Sequence, residues 1–144
     1  MLRGIIAFFP AVIGAYVLGS VLATQVILAK VSSLGLPVTL RDRLHATGHD
    51  VLGMATSYLP LMLIAFLVAI PVAVYLGRLL PKHQALLFTL AGVVAVIALH
   101  LTMKAVLGLN GVAAVREWHG LVLQGVAGGL GGYMFFVFTG RAVR

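Results

Sequence analysis

Apolar residues fall along this chain in four long runs, at residues 4–29, 52–80, 86–107 and 119–139, separated by shorter polar breaks. None alternates with the period of two that marks a strand, and each reaches the roughly 20 apolar residues needed to cross the hydrocarbon core of a bilayer. Lipid offers the backbone no hydrogen bonds, so runs of this kind are predicted to be helices. Pro81 follows the second run in a short polar turn, and Gly108, Asn110 and Gly111 end the third in C-cap roles. The expected fold class is all-α: a polytopic membrane protein with four transmembrane helices, forming one bundle domain over residues 1–144.

The first polar break is unlike the others. From Lys30 to Val51 it is too long for a plain turn between packed helices. Pro37 splits it, Thr39 is placed to cap a helix starting at Leu40, and Asp42 suits its first turn. A short interfacial or re-entrant helix is therefore expected over residues 38–50. The stretch RDRLHATGHDVLG at residues 41–53, which overlaps it, is the most polar of the chain. Pro10, Pro60 and Pro71 fall inside the predicted spanning helices, where each removes a backbone hydrogen bond and favours a kink. Two of them in the second helix suggest a bend that opens a cavity.

Composition supports the membrane reading. The chain is 62% hydrophobic and 9% charged, with a mean hydropathy of +1.15. Soluble domains carry about 25% charged residues, and a soluble fold of this size has too few charges here to cover its surface. A buried subunit of a soluble complex is a poorer match, because the apolar runs are too long. The N-terminal run exceeds the ~7–15 residues of a signal-peptide core and reads as a retained helix. With no cysteine, disulfides, thiolate zinc sites and thiol nucleophiles are excluded.

The net charge of +7 does not point to nucleic acid, because the bases stand singly at helix ends, as interface anchors do. Four crossings place both termini on one side. That side carries Arg3, Arg78, Lys82, Arg141 and Arg144 and no acid. The other carries Lys30, Arg41, Arg43, Lys104 and Arg116 with all three acids, Asp42, Asp50 and Glu117. The basic residues are evenly divided, and the unpaired bases favour both termini in the cytoplasm of a bacterial inner membrane. A faint resemblance between the halves, each with a connection histidine (His49, His119) and a closing Gly-Arg (Gly77-Arg78, Gly140-Arg141), would fit a parallel repeat.

Small residues mark close helix contacts. The first helix carries Ala11, Ala15, Gly19 and Ala23, and the last carries Gly125, Gly128, Gly129 and Gly132 beside Gln124 and Gly131. Small residues at every fourth position let backbones approach in lipid. They serve either the bundle itself or a seam to a second copy or a larger membrane complex. A slot for a flat ligand or acyl chain along the last helix is a further reading.

The candidate chemistry gathers on the side opposite the termini. His45 and His49 lie four apart, so on a helix they share a face about 6 Å apart along the axis. His100 lies near the end of the third run with Lys104 one turn on, and His119 opens the fourth beside Arg116 and Glu117. With Asp50 these residues form an expected ligand-binding mouth: His45, His49, Asp50, His100, Lys104, Glu117 and His119. His83 stands alone on the other side.

Such a mouth suits several occupants. His45, His49, His100 and His119 could ligate a divalent transition metal, although HATGH lacks the glutamate of a zincin motif. A b-type haem would need two facing imidazoles, His100 with His49 or His119, and the glycines of the last helix would make room for the ring. Histidine and lysine also suit an anionic headgroup or phosphate, and a His-Asp or His-Glu pair suits acid/base chemistry. No acid lies inside a spanning helix, which argues against a carboxylate-coupled carrier. Phosphate loops, dinucleotide fingerprints and nucleophile elbows are absent. Three expectations follow: a small transport-related or accessory subunit binding a ligand or partner at the mouth; a haem or metal redox protein; and a membrane enzyme acting on a lipid or isoprenoid, with His100 or His49 as base.

Overall fold

A computed structural model describes residues 2–108 and 112–139. Among them every regular element is helical: α1 (Leu2–Ser33), α2 (Leu40–Gly53), α3 (Tyr58–Leu79), α4 (Gln84–Leu107) and α5 (Trp118–Thr139). Short 3-10 turns join them at Met54–Thr56, Pro81–His83 and Ala113–Arg116. Four helices, α1, α3, α4 and α5, are long and apolar enough to cross a membrane. Asn110, Gly111, Gly140, Arg141 and Arg144 lie outside the described residues.

The expected boundaries shift in two places. α1 runs past residue 29 to Ser33, and stops where Gly35 takes a left-handed backbone (φ 85°) that other residues avoid. α2 extends beyond residue 50 to Gly53, so α3 starts at Tyr58 rather than near residue 52. Pro60 consequently sits in the first turn of α3, where no helical N–H bond is lost, and the expected kink there is corrected to a helix start. Pro10 and Pro71 remain inside their helices. Beside Pro71 a groove of about 390 Å³ opens between α1 and α3, lined by Phe8, Phe9, Leu67 and Phe135 among others.

The long helices pack in the order α1, α5, α4, α3, and the α1–α3 contact that would close the ring is slight. The two halves of the chain are therefore not packed alike. Apolar side chains point both ways. Val12, Met62, Phe66, Phe88, Val96 and Phe135 are buried, whereas Ile6, Ile64, Leu67, Val68 and Val94 are largely exposed. Large apolar surface turned outward on several helices is the signature of contact with lipid or partner rather than with water.

α5 is the central element, held between α1 and α4, and its glycines make that placement feasible. A Cβ added at Gly92 would lie 2.0 Å from the Gly128 carbonyl oxygen, and one at Gly132 would lie 2.0 Å from that of Phe88. Gly125 and Gly129 face Ile97 and Val93 of α4. On the other side Gly131 meets Ala15 and the Ala11 carbonyl, and Gly19 lies against Ala127. Ala11, Ala15, Gly19 and Ala23 are buried, as are Gly125, Gly128, Gly129 and Gly132. Both small-residue stripes are thus spent inside one chain.

Candidate functional site

Where the polar side chains enter the bundle, α1, α3, α4 and α5 each contribute to one buried layer. The Tyr58 hydroxyl donates to Gln124 Oε1 (2.9 Å), and Gln124 Nε2 donates to the Gly19 carbonyl (2.8 Å). Gln124 is wholly buried in α5. The absence of a side chain at Gly19 lets the amide reach the α1 backbone, since a Cβ there would sit 2.8 Å from Oε1. Tyr58 lies between the Tyr16 ring (centroids 6.0 Å apart) and the His100 ring (5.5 Å, edge-on).

His100 is 3% exposed. Its Nδ1 lies 2.8 Å from the Val96 carbonyl. A carbonyl only accepts, so Nδ1 carries the proton and, in the neutral ring, Nε2 is an acceptor. His100 Nε2 and Ser20 Oγ are the buried side-chain polar atoms without a protein partner among the described residues. Each such orphan costs about 1–3 kcal/mol.

Above this layer α2 braces the bundle. Its N-terminus carries the expected cap: Thr39 Oγ1 accepts from the Asp42 N–H (3.2 Å), and Asp42 accepts from the Thr39 N–H (2.9 Å). The Thr39 hydroxyl also donates to Asp42 (2.7 Å), and these bonds hold the Asp42 carboxyl below its usual range. Three of the bonds tying α2 to α1 converge on a short stretch of α1. Thr24 donates to Asp50 (2.8 Å), while Gln25 donates to Thr47 (3.0 Å) and accepts from Arg43 (2.9 Å). Tyr16 reaches up from below to the Val51 carbonyl. Thr24 also lies 3.0 Å from the Ser20 carbonyl, so a string of polar groups runs from Asp50 toward the buried layer.

The expected mouth residues are distributed among four places. His45 and His49 are exposed on α2, and His49 lies 3.7 Å from its neighbour Asp50. His119 pairs with Glu117 (3.2 Å), which also accepts from Lys30 and so clips the end of α1 to the start of α5. The Lys30 hydrogen bond and charge pull the Glu117 carboxyl down from its usual range. Lys104 is exposed. His100 alone lies inside, with Tyr58 and not with the other histidines. Among the described residues no three His, Asp or Glu side chains are grouped to hold a metal ion.

The residues that build the buried layer are mostly ones the sequence reading passed over. Tyr16, Ser20 and Thr24 recur every fourth residue on α1, a polar stripe beside the small-residue stripe. Gln124 is the one amide in α5 and lay hidden among its glycines.

The chain matches no protein-family model, and neither the curated proteins nor the solved structures yield a match.

Proposed function

We propose that this chain is a small membrane protein that acts as a transport-related or accessory subunit, binding a ligand or partner at the mouth opposite its termini. The observation that carries this reading is the buried layer beneath α2, where His100 Nε2 and Ser20 Oγ face no protein partner among the described residues. From Arg3 to Gly19 the helical rise is about 24 Å. In a hydrocarbon core of about 30 Å the layer therefore lies some 6 Å beneath the far surface. Polar groups at that depth are costly and are kept where something meets them. An occupant that donates a hydrogen bond to Nε2 meets the need.

Native mass spectrometry of the chain, extracted in polymer discs with its own lipids, tests this. The wild type should carry a bound species that His100→Ala loses while its circular dichroism is unchanged. A bare wild type, or a variant that keeps the species, defeats the reading.

In the same reading the chain sits in a bacterial inner membrane with both termini in the cytoplasm, supported by the acid-free basic cluster at that end. Because the chain has no cysteine, single substitutions report topology without background. His45→Cys should react with a membrane-impermeant maleimide in intact cells, and His83→Cys only after permeabilisation. The opposite pattern inverts the orientation.

A further inference from the structure

We propose that the outward face of α2 binds the headgroups of anionic phospholipids, an inference that rests on the membrane reading above. α2 has no buried residue. Arg43, Thr47 and Asp50 turn toward α1 through their hydrogen bonds, which leaves the remaining surface free of the bundle. On that surface Arg41, His45 and His49 follow one another at single-turn spacing, all exposed. Beside them stand Leu40 (73% exposed), Leu44 (68%) and Leu52 (78%).

Both acids of α2 are engaged elsewhere: Asp42 closes the Thr39 cap, and Asp50 accepts from Thr24. Asp50 also lies 3.7 Å from His49 and Asp42 is close enough to feel the charge of His45, so Arg41 is the fixed cation of the stripe and the two imidazoles add hydrogen-bonding groups beside it. A row of exposed leucines beside a row of cationic and hydrogen-bonding groups is what a helix lying in the headgroup layer presents. The leucines enter the acyl boundary, and the basic row meets phosphate. The brace to α1 suits the same position. It joins α2 to α1 at Thr24 and Gln25, about 32 Å of helical rise from Arg3, where a core of about 30 Å gives way to headgroups. An acidic protein partner is the competing occupant, but it would not account for the leucines at the level of the bilayer surface.

The test uses the full chain in nanodiscs with a single environment-sensitive fluorophore on Leu44→Cys, in phosphatidylcholine alone or mixed with phosphatidylglycerol. In the mixed discs the label should be reached by a lipid-borne quencher and shielded from aqueous iodide. The shift between the two lipids should be about fivefold in the shielded population, the effect of one arginine near an anionic surface. Changing Arg41, His45 and His49 together to glutamine should remove that dependence and leave the fold intact, because among the described residues these side chains bond to no other element.

A label equally open to iodide in both lipids overturns the proposal and leaves the face to a protein partner. A phosphatidylglycerol effect that survives the triple substitution also overturns it. A label on Leu67→Cys, on the exposed face of α3, separates the two readings. If it too is open to iodide, the membrane reading itself has failed. If it lies in lipid while Leu44→Cys does not, only the headgroup site has.

Discussion

Gly92→Ala should unfold the α4–α5 contact. The added methyl would lie 2.0 Å from the Gly128 carbonyl oxygen, far inside van der Waals contact, and no rotamer can move it. The obstacle is backbone, so one helix must shift by more than 1 Å. α5 has no room to retreat. On its far side a Cβ at Gly131 would already fall 2.6 Å from the Ala15 methyl and 3.0 Å from the Ala11 carbonyl. Overpacking a well-filled core costs about 1–3 kcal/mol, occasionally more. A backbone clash with both neighbours fixed belongs at or above the top of that range.

Thermal unfolding in detergent, or equilibrium unfolding in mixed micelles, should show a loss of about 3 kcal/mol or more for Gly92→Ala. Gly132→Ala, which meets the Phe88 carbonyl at 2.0 Å, should do the same. The control is Gly48→Ala on α2, where no atom lies within 4 Å of the new methyl. It should gain about 0.5–1 kcal/mol from helix propensity. Wild-type stability in Gly92→Ala would mean that α4 and α5 do not touch along these glycines.

That contact shows how far the sequence could be read. A run of closely spaced glycines in an apolar helix announces a tight interface, because only small residues let backbones meet. It says nothing of which surface is met, since α1, α4, a second copy or a ligand would each leave the same pattern. The four runs were legible for a stronger reason: lipid imposes a length, and length survives in sequence.

The α2–α3 boundary was not legible. Val51, Leu52, Met54 and Ala55 carry apolar residues across the boundary with only Gly53 between them, and the 3-10 turn at Met54–Thr56 separates the two helices without a proline. The cap at Thr39 was legible because capping is local. The buried layer was not, because it joins residues as far apart as Gly19 and Gln124, and only the packing of α1 against α5 brings them together. The placement of the histidines was not legible for the same reason. Composition put four of them on one side, but fold geometry sent His100 inward and left the others outside.

Gln124→Leu should test that layer. Leucine nearly conserves volume, so the change isolates hydrogen bonding. It strips the Tyr58 hydroxyl of its acceptor and the Gly19 carbonyl of its extra donor. Gly19 lies within α1, where its carbonyl keeps the helical bond, so most of the loss falls on Tyr58, which is buried. A buried polar group left without a partner costs about 1–3 kcal/mol. Hydrogen bonds between membrane helices average nearer 0.6 and reach about 1.7 kcal/mol in coupling experiments. Complete burial of Gln124 and near-complete burial of Tyr58 place this pair at the upper end, so a coupling of about 1–2 kcal/mol is expected.

The double-mutant cycle with Tyr58→Phe reads it directly. Each single change orphans the other partner, whereas the double change removes both polar groups. The double variant should therefore lose less stability than the two single losses added together. Strict additivity would show that Tyr58 and Gln124 do not bond, and that the layer below α2 is a set of separate side chains rather than one connected site.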